Sequence, residues 1–252
     1  MSMQFEGKSV LITGGASGIG LLSGKCFAKE GAKITLADLN KDGLYAAVSE
    51  IKEFTDDVIG IVTDVTNYSD VKHTCDETVE KFGSIDILIA CAGGSETRLK
   101  GINDIFYNLP IEVIDFGIDL NLKGAIYFDH AVMKQMEKQH SGVIINLGSI
   151  TGYEGAATNI AYAASKSALM NGVVKSLALA GEKIGVRALC IAPGPVLTRP
   201  GMAHMKTLLG RAAQTQEIVD LIMYACSDKG AFMDGTTIMI DGGRAVMENR
   251  QY

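Results

Sequence analysis

Tyr162 and Lys166, in Tyr162-Ala163-Ala164-Ser165-Lys166, open a segment of helical period. Four residues apart on a helix, the phenol and the ammonium project from one face and can act on the same atom. A free phenol titrates near 10 and is a poor base at neutral pH, but an ammonium a few ångströms away favours the phenolate and makes a usable proton donor and acceptor. Ser149 ends the run Ile144-Ile145-Asn146-Leu147-Gly148-Ser149, which reads as a strand. Its hydroxyl then stands at the carboxyl edge of a sheet, where ligands of open α/β folds bind, and can hydrogen-bond a substrate oxygen. Any helix can carry Tyr and Lys at this spacing by chance. Ser149 read alone is a serine in a Gly-rich loop, so proton transfer at a carbonyl or alcohol oxygen is at this point one candidate reading of the three residues.

A second constellation lies near the N-terminus. An apolar run leads into Thr13-Gly14-Gly15-Ala16-Ser17-Gly18-Ile19-Gly20, followed by a helical segment and a second apolar run ending in Ala37-Asp38. Glycines at such a turn permit a tight bend, close approach of the backbone to a pyrophosphate and close helix-to-sheet packing, while helix N-terminal N–H groups face the phosphates. Gly14, Ser17, Gly18, Ile19 and Gly20 are the expected cofactor contacts there. Asp38 suits a ribose hydroxyl acceptor at the end of the second strand, which favours NAD over its 2′-phosphorylated form. The competing reading of Asp38 is a solvated cap for the helix starting at Lys41.

The elements that must position these groups follow from periodicity. Short apolar runs at residues 9–12, 33–37, 58–62, 85–90, 143–147, 187–191 and 237–240 read as strands, with helical segments between them. Strands this uniformly apolar are buried on both faces, the signature of a parallel sheet with helices on each side. The expectation is an α/β, Rossmann-type doubly wound fold with a seven-stranded parallel sheet, and one domain over residues 1–252, since four prolines and no linker-like stretch interrupt the chain. A net charge of −6 argues against nucleic acid or an anionic membrane surface and leaves a small molecule as the expected partner. The five cysteines form no CxxC pair and the histidines no metal-binding spacing, so neither disulfides nor a metal is expected. No signal-peptide pattern or membrane span is read from the chain, which points to the cytoplasm.

Thr-Gly-x-x-x-Gly-x-Gly at residues 13–20, with the Ser149, Tyr162 and Lys166 spacing, resembles the short-chain dehydrogenase/reductase family along essentially the whole chain. The resemblance implies an NAD(P)-dependent oxidoreductase acting on an alcohol or carbonyl substrate. Tyr162 would be the general acid/base, Lys166 would contact the nicotinamide ribose and tune Tyr162, and Ser149 would orient the reacting oxygen. Asn121, in Asp119-Leu120-Asn121-Leu122, matches the family's fourth catalytic position, which holds a proton-relay water near the lysine. Asp64-Val65 matches the adenine cradle, although an N-cap is the plainer role for Asp64. Ala92 and Gly93 would touch the cofactor through their backbones, and Pro193, Val196 and Thr198 would lie beside the nicotinamide. The final Asp241-Gly242-Gly243 also fits. Cys91 departs from the pattern: the family has Asn there, and a small packing residue is expected instead. Relatives are commonly homo-oligomers, tetramers or dimers.

The substrate-facing loops, by the same resemblance, are residues 94–108, 150–160 and 199–211. Ser95, Glu96, Arg98, Tyr153, Glu154 and Asn159 in the first two hint at a hydroxylated substrate such as a sugar or polyol. Met202, His204, Met205 and Leu208 in the third suit a steroid-like ring system, the alternative to the hydroxylated substrate, which is the expectation. A dinucleotide-binding sensor without chemistry is disfavoured by the four matched catalytic residues. An epimerase or dehydratase of the extended branch is disfavoured by the few residues after the sixth strand.

Overall fold

The computed structural model describes residues 3–102 and 104–247. Met1, Ser2, Asn103 of the first substrate loop and residues 248–252 lie outside the described residues. Each of the seven apolar runs forms one strand: β1 Ser9–Thr13, β2 Lys33–Asp38, β3 Val58–Val62, β4 Ile87–Ala90, β5 Gly142–Leu147, β6 Val186–Pro193 and β7 Thr236–Ile240. They pair in parallel throughout, in the order β3-β2-β1-β4-β5-β6-β7. β4 begins later than its apolar run, because the Gln139 side-chain amide takes both the N–H and the C=O of Ile85, at 3.0 Å each.

Alternation along the strands sends side chains to two cores, as a parallel sheet covered on both faces requires. Val10, Ile12, Ile34, Leu36, Ile89 and Ile145 face one side, where α1 (Gly18–Lys29), α2 (Lys41–Ile51) and α10 (Thr215–Cys226) cover them through residues such as Phe27, Leu44 and Ile222. Leu11, Ala37, Leu88, Ile144 and Ala188 face the other, against Val71 and Cys75 of α3 (Tyr68–Phe82) and Phe128, Val132 and Met136 of α6 (Gly124–Gln139). The remaining helices are α4 (Glu96–Lys100), α5 (Ile111–Ile118), α7 (Ile150–Glu154), α8 (Ile160–Ala168) and α9 (Val174–Gly181).

Two features prepare the site. Between β1 and β4 the strand order reverses, and at such a switch point the carboxyl ends of the strands diverge and leave a crevice. In addition, both long helical runs carry a π turn, Asp119–Lys123 between α5 and α6 and Leu169–Val173 between α8 and α9. Among the described residues no helix is long and apolar enough to cross a membrane.

Candidate active site

A cleft of about 1000 Å³ opens over the carboxyl edge of the sheet at the switch point. At one end the β1–α1 turn is locked to the strand across the switch point, since the Thr13 hydroxyl accepts the N–H of Ala92 at 3.0 Å. Helix α1 then starts against the turn so closely that a Cβ on Gly20 would lie 2.3 Å from the carbonyl oxygen of Gly14. Only glycine fits there. The Ser17 side chain makes no capping bond, so the first N–H groups of α1 are left for a ligand.

Asp38, at the carboxyl end of β2, is fixed by two backbone donors: Oδ2 accepts from Ala16 at 3.0 Å and Oδ1 from Asn40 at 2.9 Å. Each oxygen keeps lone-pair capacity for a hydroxyl. The cap of α2 is Asn40, accepting from Gly43 at 3.2 Å, so the helix-cap reading of Asp38 falls away. Similarly, Asn67 caps α3 through the N–H of Ser69, while Asp64 closes a local turn with the N–H and hydroxyl of Thr66 at 2.9 and 2.7 Å. The glycine cradle, the free helix N-terminus and the fixed carboxylate fit a dinucleotide laid across the switch point.

At the other end, Ser149 follows β5 and caps α7, its Oγ accepting from Thr151 at 3.1 Å, which leaves the hydroxyl proton for another acceptor. Lys166 on α8 is buried, and its Nζ donates to the carbonyl of Leu147 at 2.6 Å and lies 5.7 Å from the centroid of the Tyr162 ring. The ammonium is therefore pinned between the end of β5 and the phenol, one turn away.

Gly14, Ser17, Gly18, Ile19, Gly20, Asp38, Asp64, Val65, Ala92, Gly93, Ser149, Tyr162, Lys166, Pro193, Val196 and Thr198 all line this one cleft. Asn121 does not. It is fully buried in the π turn behind Gly93, where its Oδ1 accepts from Gly94 at 2.8 Å and its Nδ2 donates to the carbonyls of Gly94 and Gly117, both at 2.9 Å. Gly93 has φ +150°, and a Cβ on it would lie 2.6 Å from Asn121 Oδ1. With both amide protons committed, the visible effect of Asn121 is to hold the loop after β4 against the helix. Beside it, burial pushes the Cys91 thiol up to about 12 despite the opposing charge of Lys166, which disfavours the thiolate at neutral pH.

Several polar residues of the substrate loops are turned inward. Glu96 is fully buried and accepts the N–H groups of Ala161 and Tyr162, at 3.0 and 3.2 Å, at the start of α8. Asn159 accepts from Ser95 at 2.7 Å and from Thr97, and Glu154 pairs with Arg244 at 2.9 Å. Tyr153 is exposed. Of the side chains that suggested a hydroxylated substrate, Glu96 and Glu154 are bonded within the protein and Ser95 and Asn159 to each other, while Ser95, Arg98 and Asn159 line the cleft together with Leu99, Phe116, Met202 and Met205. The role of Glu96 carries no local signal, because its partners are 65 and 66 residues away.

Residues 8–208 match the model of the short chain dehydrogenase family. The chain is 34% identical to the 3-oxoacyl-[acyl-carrier-protein] reductase FabG of Thermotoga maritima, covering 97% of this chain and all of the relative. Identity to the 7α-hydroxysteroid dehydrogenase of Bacteroides fragilis is 28%, covering 96% of each. Among solved structures, a short chain dehydrogenase from Bacillus anthracis superimposes with a TM-score of 0.87 at 32% identity over the whole of both chains. A 7α-hydroxysteroid dehydrogenase complexed with NADH and 7-oxo glycochenodeoxycholic acid superimposes at 0.86, with 26% identity over 96% of each. In sequence and in fold, the chain belongs to the short-chain dehydrogenase family.

Proposed function

We propose that the protein interconverts a secondary alcohol and a ketone with NAD(H), using Tyr162 as general acid/base, Lys166 and Ser149 as its partners and Asn121 as the residue that holds the loop beside them. The observation that carries this reading is the Lys166 ammonium anchored on the Leu147 carbonyl beside the Tyr162 ring. When bound, the nicotinamide accepts or gives the hydride. The protein's own part is the proton: in oxidation Tyr162 takes it from the substrate hydroxyl, and in reduction returns it to the nascent alkoxide, while the Ser149 hydroxyl donates to the same oxygen. Gly14, Ser17, Gly18, Ile19, Gly20, Asp38, Asp64, Val65, Ala92, Gly93, Pro193, Val196 and Thr198 would hold the cofactor.

Two hydroxysteroid dehydrogenases among the relatives, together with the Leu99, Phe116, Met202 and Met205 walls, favour a substrate with an apolar body over a sugar. Exposed Leu179 on α9 and Phe232 before β7, 77% and 105% accessible, support a homo-oligomer, and a cytoplasmic enzyme remains part of this reading.

Tyr162→Phe keeps the ring and removes the acid. Turnover of ketones with NADH should fall by at least about a hundredfold, with the NADH Kd, read by nicotinamide fluorescence, changed less than about threefold. Near-native kcat in the variant would end the assignment.

A further inference from the structure

Charge is unevenly distributed in the cleft. Its lining carboxylates, Asp38 and Asp64, both sit at the ends of β2 and β3 beside the Gly-rich turn. The opposite end, around Tyr162, is lined by Arg98 of α4, Arg199 and the buried Lys166, and by no carboxylate among the described residues. Arg98 lies folded over the loop after β4, where a Cβ on Gly94 would be 2.7 Å from its Nη2. Arg199 follows Thr198 and opens the short 3₁₀ helix Pro200–His204 that carries Met202. Neither guanidinium takes part in an ion pair among the described residues.

The two cations act on each other. Partial burial lowers the Arg98 pKa first and the charge of Arg199 lowers it further, while the Tyr162 phenol acts in the opposite sense. The Lys100 ammonium adds a third positive charge nearby, 4.0 Å from the ring centroid of Phe116, which lines the same cleft. In a chain of net charge −6, these cations at the mouth of the cleft have no carboxylate lining it beside them, since Glu96 is turned inward onto the N–H groups of Ala161 and Tyr162. Guanidinium forks match the oxygens of carboxylates and phosphates, and an anion between them removes their mutual repulsion.

Resting on the oxidoreductase reading above, we infer that the substrate is an amphipathic ketone or secondary alcohol whose anionic group, a carboxylate or a phosphate, is held by Arg98 and Arg199. Its apolar body lies along Leu99, Phe116, Met202 and Met205, and its reacting oxygen reaches Tyr162. The arginines then set substrate orientation, since the anion and the oxygen are held at two separate points.

The test uses matched ketones with NADH. One pair is 6-oxoheptanoate with its methyl ester, and the other is 6-oxoheptyl phosphate with 7-hydroxyheptan-2-one. The native protein should show at least about a tenfold higher kcat/KM for the anionic member of one or both pairs, and which pair responds distinguishes carboxylate from phosphate. The ratio should collapse towards one in Arg98→Gln/Arg199→Gln and survive in large part in Arg98→Lys/Arg199→Lys. Equal or better turnover of the neutral members by native protein overturns the inference. So does a variant that weakens NADH binding tenfold while leaving the ratio intact, because the arginines would then serve the cofactor. Thermal melting of the NADH-saturated native protein gives a readout without turnover, in which the anionic member of a pair should raise the melting temperature more than the neutral one. Absence of turnover with every ketone would defeat the oxidoreductase reading alone, and absence of that shift would defeat the inference.

Discussion

A single side chain governs the expected choice between cofactors. Asp38 is held by the N–H groups of Ala16 and Asn40 and cannot swing away without leaving both unpaired. The 2′-phosphate of NADP would place about two negative charges against it, and one like-charge pair at roughly 4 Å with an effective dielectric near 20 costs about 4 kcal/mol before screening. Lys41, the nearest cation in sequence, lies 5.9 Å from the Tyr45 ring centroid and forms no ion pair with Asp38 among the described residues. Even after a severalfold discount for solvent, kcat/KM for NADH should exceed that for NADPH at least about tenfold, and Asp38→Ala should narrow the gap. Equal values in the native protein at matched salt would overturn the assignment. At this scale the sequence was informative because strand ends and turn glycines fix backbone positions: the Gly-rich turn, Asp38, Ser149, Tyr162 and Lys166, together with the residues that the family resemblance implied, line one cleft, except Asn121, which lies behind its wall. Arg98 and Arg199 were not legible as a pair, since side chains 101 residues apart in sequence line one cleft only through the fold.

Helix α8 presents Tyr162 and Lys166, and its beginning is held from outside. Asn159 at its N-cap makes no capping bond because its amide oxygen is engaged by Ser95 and Thr97. The Glu96 carboxylate of α4 takes over the orphan N–H groups of Ala161 and Tyr162, and its charge suits a helix N-terminus. Read from sequence, Glu96 belongs to a substrate loop. In the structure it is a buried positioning residue, and only a tertiary contact reveals the difference. Glu96→Gln retains the size but loses the charge and one of the two acceptors. It should cost about 1–3 kcal/mol of stability and lower kcat more than it raises the KM for ketone, because Tyr162 moves with the first turn. The NADH Kd should change little, and Glu96→Asp should recover part of both losses. A variant with native stability and kcat would show that α8 does not depend on this cap. The π turns on either side of the site were equally illegible, because their residues continue the ordinary helical period.

For the molecule as a whole, the seven parallel strands were legible as apolar runs because the central strands are buried on both faces, and β7 forms where the last run predicts a strand, while the order β3-β2-β1-β4-β5-β6-β7 comes from the structure. What apolar patterning could not show is the polar contact between helix layer and sheet. Asp129 of α6 and Asn146 of β5 meet in the core, 1% and 0% exposed, with Asn146 Nδ2 donating to Asp129 Oδ2 at 3.0 Å. Oδ1 of each has no partner among the described residues. A proton on Asp129 lets the carboxyl donate to the orphaned amide oxygen, so the pair is complete only in the neutral form. Burial accordingly pushes the Asp129 carboxyl up to about 7, with the Asn146 hydrogen bond acting the other way. Between the ordinary value of 3.8 and about 7 the native state keeps a proton that the unfolded chain releases. Stability therefore falls with rising pH in that window, by up to about 1.4 kcal/mol per unit, and levels off above it. Asp129→Asn supplies the same donor and acceptor at every pH and should remove this loss. Its unfolding free energy from urea titration should match the native protein near pH 4, where both forms are neutral, and exceed it increasingly up to about pH 7, reaching a difference of a few kcal/mol. Denaturation curves of the two proteins from pH 4 to 8.5 decide the matter: a difference that stays constant across the range would mean that Asp129 is ionised in the native core throughout.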